Sequence, residues 1–147
     1  MTPAHWIVAA LTALIVIVCV LVHYEGLRLL SDILPEPRIY HRRRVISIIL
    51  CLMFLHIVEI WIFGGAYFLL LRAGDFGELY AAATLTPFDC IYYSATVFTT
   101  LGFGDIVPIG PIRTMTGTEA VLGLTLITWS ASFTFLEMLK TWKSDDK

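Results

Sequence analysis

The chain has 147 residues, of which 58% are hydrophobic and 15% are charged, with a formal net charge of −2 and a mean hydropathy of +0.80. This composition is too apolar for one soluble core and is typical of an integral membrane protein. No basic stripe is present, so we expect no nucleic-acid partner. The cysteines lack metal-ligand spacing and are interpreted as packing thiols: Cys19, Cys51 and Cys90.

The first element is an apolar segment near the amino terminus. It runs from Ile7 to Val22 with a single threonine, is long enough to span a bilayer, and is flanked by Trp6 and Tyr24. No Lys or Arg precedes it and no small-x-small cleavage site follows it, which disfavours a cleaved signal peptide. We therefore predict an N-terminal transmembrane helix within residues 1–30.

Residues 31–44 form a basic connection. They contain Arg38, Arg42, Arg43 and Arg44. The positive-inside rule predicts that this linker is cytoplasmic. Contact of these arginines with anionic lipids is the second interpretation.

Residues 45–71 are predicted to form a second span, which carries His56 and Glu59 near its middle. Polar groups are costly at this depth, and residues three apart share one face of a helix. We expect this pair to face protein and to find polar partners. Structural anchoring is the favoured interpretation, proton sensing or ion handling stays open, and the pair alone offers too few ligands for a metal site.

A loop over residues 72–85 precedes a short helix over residues 87–98. Thr86, Pro87 and Asp89 suit the N-cap, first and third positions of this helix. A dozen residues extend only about 18 Å, whereas the hydrocarbon core is about 30 Å thick. The helix must therefore re-enter the membrane rather than cross it, and the irregular chain after it must line a water-filled cavity.

Residues 99–105 read Thr-Thr-Leu-Gly-Phe-Gly-Asp. Gly102 and Gly104 accept positive φ without a Cβ clash, which lets consecutive carbonyls from Thr100 to Phe103 turn to one side. Such a row of oxygens replaces the hydration shell of a cation.

Residues 112–142 are predicted to form the last span, followed by a short tail over residues 143–147. Glu119 lies about 10 Å below the outer end of this helix. We therefore expect it at about the same depth in the membrane as residues 99–105. Gly123 is a candidate bending point.

Together, residues 45–142 resemble the pore domain of potassium channels: outer helix, pore helix, selectivity filter and inner helix. The resemblance implies that potassium binds at the carbonyls of five filter residues: Thr100, Leu101, Gly102, Phe103 and Gly104. It implies filter support from Asp105, Tyr92 and Tyr93, and a gating hinge at Gly123. We also expect Thr99 and Glu119 to support the filter.

The expected fold is therefore an all-α integral membrane protein with three transmembrane helices, a re-entrant pore helix and a filter loop. With one filter segment per chain, four chains are needed to close the pore, so the expected partner is a second copy of the same chain in a homotetramer.

The leading functional prediction is passive, potassium-selective conduction without a cofactor, in which K⁺ is the transported ligand. The alternatives are a weakly selective cation channel and a non-conducting scaffold or accessory subunit. An intramembrane enzyme using His56, Glu59 and Glu119 is disfavoured, because no nucleophile or complete metal-ligand set accompanies them. The resemblance implies a location in the plasma (inner) membrane. The basic residues predict that the amino terminus is outside and the carboxyl terminus in the cytoplasm.

Overall fold

The computed structural model describes residues 2–33, 41–82 and 84–145. In chain order its elements are α1 (Pro3–Ile33), α2 (His41–Ala73), β1 (Glu78–Tyr80), α3 (Pro87–Phe98), β2 (Val107–Ile109) and α4 (Ile112–Asp145). Within the described residues, three helices, α1, α2 and α4, are long and apolar enough to cross a membrane. The predicted class, an all-α membrane protein with three spans and one short helix, is confirmed.

The first two helices are longer than the sequence indicated. α1 continues to Ile33, and α2 already begins at His41. Three of the four predicted linker arginines therefore belong to α2, because arginine is a good helix former and no proline follows Pro37 before the span. Arg38 and the interactions of the Arg42 side chain lie outside the described part of the chain.

The short helix α3 starts and stops where the sequence indicated. Thr86 is its N-cap, and the backbone N–H of Thr86 donates to Asp89 Oδ2 at 2.6 Å while the Asp89 N–H donates back to Thr86 Oγ1 at 3.4 Å. Hydrogen bonds from the hydroxyl and N–H of Thr86 hold the pKa of the exposed Asp89 carboxyl below its usual value. This reciprocal capping fixes the start of the helix.

The segment predicted as an entirely irregular loop contains a strand. β1 pairs antiparallel with β2, and the register places Glu78 opposite Ile109 and Leu79 opposite Pro108. The sequence did not predict either strand. Three residues are too few to show alternation of apolar and polar side chains, and Pro108 in β2 by itself argues against a strand there. The pairing joins the chain before α3 to the chain after residues 99–105.

The core lies where α3 packs between α2 and α4. Phe63 and Tyr67 of α2, Phe98 of α3 and Met115 of α4 are fully buried there. α1 packs on α2 and α4, and Leu27 of α1 contributes to a second cluster with two α2 residues. Helices α2 and α4 thus hold α3 on two sides and position the segment that follows it.

Candidate functional site

Along residues 99–105, which we call the glycine run, every second residue from Thr100 to Gly104 has a positive, left-handed φ angle. Thr100, Gly102 and Gly104 have φ values of 60°, 51° and 82°, whereas Leu101 and Phe103 do not have positive φ. The predicted positive φ at both glycines is confirmed. Thr100 also has a left-handed backbone conformation. The sequence did not predict this, because a residue with a Cβ is roughly 1–2 kcal/mol less stable in that conformation.

Hydrogen bonds to the end of α3 hold the first part of the run. The Thr100 N–H donates to the Val97 carbonyl at 2.9 Å, and the Gly102 N–H donates to the Thr96 carbonyl at 3.1 Å. Thr99 is the C-cap residue, and its hydroxyl donates to Ala95 at 2.7 Å. The N–H groups of Thr100 and Gly102 thus bond back to carbonyls of α3.

The other end of the run is held from two directions. The Tyr92 hydroxyl donates to Asp105 Oδ2 at 2.8 Å, and this bond to the carboxylate raises the pKa of the phenol above 10. Two residues later the chain enters β2, which is paired with β1. Tyr92 and Asp105 therefore connect α3 directly to the glycine run. Tyr93 does not, because its hydroxyl lies 2.9 Å from Thr116 Oγ1 of α4.

Two glycines let the flanking helices approach the backbone of α3. A Cβ on Gly64 of α2 would lie 2.8 Å from the Cα of Ile91, and a Cβ on Gly123 of α4 would lie 2.8 Å from the carbonyl carbon of Phe98. α4 passes through Gly123 without interruption. This contact gives Gly123 a packing role, whereas the hinge stays a prediction.

Glu119 lies behind the short helix. Its fully buried carboxylate accepts hydrogen bonds from the Tyr67 hydroxyl at 2.6 Å and from the Ser94 hydroxyl. The carboxylate thereby links α2, α3 and α4. The contact is with the middle of α3, so any support that Glu119 gives to the glycine run passes through that helix.

The predicted pair of His56 and Glu59 has a third member. His56 Nδ1 lies 2.9 Å from Glu59 Oε2, and His23 Nδ1 of α1 lies 2.8 Å from Glu59 Oε1. His23 and Glu59 are fully buried. The sequence analysis missed His23, although a histidine at the end of an otherwise apolar span was a detectable signal.

The end of the helices opposite β1 and β2 carries an ionic cluster around the buried Glu137 carboxylate. An Arg44 guanidinium N–H donates to Glu137 Oε2, and the Lys140 ammonium donates to Glu137 Oε1. Glu137 is only 2% exposed. A buried carboxylate without cationic partners would be strongly destabilising, and Arg44 and Lys140 supply them. Arg44 of the predicted basic cluster thus joins α2 to α4, an interaction that the sequence analysis did not foresee.

The exposed side of α4 carries a series of hydroxyl groups. Thr125, Thr128 and Ser132 are exposed, and each hydroxyl donates to the carbonyl four residues earlier, at 2.7–3.0 Å. Thr118 makes the same bond at 2.9 Å. We call these four residues the hydroxyl stripe. Their spacing of three, four and seven residues places them on one helix face and was readable in the sequence.

The family model described as "Ion channel" matches residues 55–140. Comparison with curated proteins and with solved structures gave no match. The family match starts within α2, covers α3 and the glycine run, and ends near the end of α4. Since the match spans more than half of the chain, this multi-pass membrane protein with three helices able to cross a membrane belongs to the ion-channel family.

Proposed function

We propose that the protein is a potassium-selective channel in which residues 100–104 of four chains form the selectivity filter. The observation that carries this proposal is the alternation of backbone hand at Thr100, Gly102 and Gly104, directly after a helix too short to cross the membrane. Four such segments would surround an ion with rings of carbonyl oxygens. The carboxyl ends of the four α3 helices would add partial negative charge that favours a cation below the filter.

Two exposed apolar side chains in the glycine run support assembly into a tetramer. Leu101 and Phe103 are 63% and 67% exposed in the single chain, although the run that contains them is held at both ends. Two large apolar groups so close in the chain and so exposed favour coverage by protein. In the proposed tetramer a neighbouring chain covers them, while their carbonyls face the ion.

The hydroxyl stripe supports a water-filled cavity below the filter. A helix face in contact with lipid is ordinarily apolar, whereas Thr118, Thr125, Thr128 and Ser132 place four hydroxyls on one face of α4. Their bonds to the preceding turn leave the hydroxyl oxygens able to accept hydrogen bonds from water. This face suits the wall of an aqueous cavity on the symmetry axis.

The deciding measurement is the reversal potential of the purified protein in planar bilayers with potassium on one side and sodium on the other. We expect a potential near the potassium equilibrium value. A conductance without preference would favour the weakly selective cation channel, and no flux in bilayers or liposomes would favour the scaffold. Either result contradicts the proposal.

Matched glycine variants connect the measurement to the filter backbone. A Cβ on Gly102 or on Gly65 of α2 would meet no heavy atom of the same chain within 4 Å, but only Gly102 has positive φ. Gly102→Ala therefore introduces strain of roughly 1–2 kcal/mol per chain without a clash, and we expect loss of selectivity. Gly65→Ala should keep the wild-type reversal potential.

For orientation, we propose that the amino terminus is outside and that the end with Arg43 and Arg44 is cytoplasmic in the plasma membrane, where the basic residues can also contact anionic lipids. The glycine run then faces the outside. Labelling of cysteines introduced at Thr2 with a membrane-impermeant maleimide tests this in Cys51→Ser protein, because Cys51 is an exposed thiol. Labelling from the cytoplasmic side alone would contradict the orientation.

A further inference from the structure

A buried polar cluster that ion conduction does not use lies between α1 and α2. The Glu59 carboxylate is fully buried and contacts two imidazoles, His23 on α1 and His56 on α2, through one oxygen each. Isolated charges in this environment are strongly disfavoured. Two histidines from different helices that converge on one carboxylate therefore call for an explanation beyond packing.

We propose that His23, His56 and Glu59 bind one Zn²⁺ ion. One ligand atom from each of the three residues lies within 4.8 Å of the other two. Two imidazole nitrogens and one carboxylate oxygen are a donor set that zinc uses, usually with a water as the fourth ligand. The sequence pair His56 and Glu59 alone offered too few ligands, and His23 supplies the missing one.

The distances suit an ion of this size. Ligand atoms around tetrahedral zinc lie about 3.3 Å apart, given metal–ligand bonds of about 2.0–2.1 Å. The His23 and His56 nitrogens lie 2.8 and 2.9 Å from different oxygens of Glu59. Coordination of one ion therefore requires the carboxylate to turn one oxygen toward it and the three ligand atoms, now within 4.8 Å of one another, to settle about 3.3 Å apart. In the metal-free form each Nδ1–H donates to the carboxylate. On binding, each neutral imidazole keeps one proton, which moves to Nε2, and Nδ1 turns its lone pair to the ion.

The surroundings of His23 accommodate that tautomer. Ser130 Oγ of α4 lies 3.3 Å from His23 Nε2, and the hydroxyl can accept a hydrogen bond from Nε2–H as well as donate one to a bare Nε2. A histidine that binds metal typically donates its other ring N–H to such an acceptor. The His23 ring also stacks on His56 at 5.5 Å and packs against Trp129 at 5.2 Å between centroids. Both imidazoles are thus held in orientation before an ion arrives.

Zinc binding at this site would have a structural consequence. The His56 side chain is 18% exposed, whereas the other two ligands are fully buried. Bound zinc would fasten α1 to α2, and the His56 ring lies 5.8 Å from that of Phe98, the last residue of α3. The proposal does not depend on the selectivity of the filter.

The test is calorimetric titration of the purified full-length protein with Zn²⁺. Because Cys51 is an exposed thiol, every protein carries Cys51→Ser. We expect one Zn²⁺ per chain, affinity lowered at least a hundredfold by Glu59→Gln or His56→Gln, and affinity lowered tenfold to a hundredfold by Ser130→Ala with unchanged stoichiometry. His5→Gln, a control at the histidine that contacts Thr2 near the amino terminus, should bind like its parent.

A second measurement keeps the test independent of the folding of any single variant. Zn²⁺ should raise the Tm of the parent and of His5→Gln but not that of His56→Gln. Co²⁺ in the parent should give the visible absorption of a four-coordinate ion. The proposal is wrong if the parent shows no saturable binding in the micromolar range, or if His56→Gln binds Zn²⁺ as tightly as the parent does. The cluster is then a hydrogen-bonded clamp on Glu59 only.

Discussion

Substitution of Gly123 by alanine tests whether the close packing of α3 against α4 positions the proposed filter, residues 100–104. The new Cβ would lie 2.8 Å from the carbonyl carbon and 2.9 Å from the Cα of Phe98, and closer still to the Phe98 carbonyl oxygen. Carbon atoms pack at about 3.5 Å or more. The backbones of α3 and α4 would have to separate by roughly 0.7 Å for the contact with the carbonyl carbon alone. The oxygen requires more, because no side-chain rotation relieves a contact with backbone atoms.

The free-energy change combines two opposing effects. Overpacking of this kind costs about 1–3 kcal/mol, whereas Gly→Ala within a helix stabilises by about 0.5–1 kcal/mol. We therefore expect Gly123→Ala to be destabilised by up to about 2.5 kcal/mol per chain. The contact with three backbone atoms favours the upper part of this range. Since Phe98 is the residue just before the Thr99 cap, the displacement should also reach the filter and lower potassium flux.

Gly117→Ala is the matched control, because it lies on the same helix and its Cβ would meet no heavy atom of the chain within 4 Å. The assay is thermal unfolding of both variants in detergent, followed by potassium flux from liposomes. We expect a lower Tm and lower flux for Gly123→Ala and no loss for Gly117→Ala. The packing argument would be refuted if Gly123→Ala kept the wild-type Tm and the wild-type ion selectivity but opened less often. That result would support a hinge at Gly123.

Three further predictions concern the surroundings of α3. Gly64→Ala should lower the Tm because its Cβ would meet the Ile91 backbone, whereas the adjacent Gly65→Ala should not, and equal Tm values would contradict this. The Tyr92 pKa is raised by its bond to Asp105, so the stability that this bond contributes is present below pH 10 and is lost as the pH rises above it. Tyr92→Phe should remove that alkaline component of the Tm profile, and an unchanged profile would show that the bond is not responsible. Thr86→Ala should cost about 1 kcal/mol through the lost N-cap, measured by denaturant unfolding, and no change would mean that the cap is dispensable.

The sequence alone determined the features that depend on neighbouring residues. Apolar runs of membrane length predict spans wherever they occur, so α1, α2 and α4 were readable. The bounds of α3 follow from the local chemistry of Thr86 and Asp89 at one end and from the glycine run at the other. Positive φ at Gly102 and Gly104 follows from the absence of a Cβ.

Only the tertiary structure decided which distant residues meet. The contacts of Glu59 with His23 and of Glu137 with Arg44 join residues 36 and 93 positions apart, and no local pattern encodes such pairs. Likewise, β1 becomes a strand because β2 lies beside it, not because of its own three residues. The sequence predicts a bending point at Gly123. In the structure the backbone of Phe98 packs against Gly123, so α3 and α4 approach each other closely there. Local propensity acts over a few residues, whereas these roles arise from the packing of whole helices, which requires the folded chain.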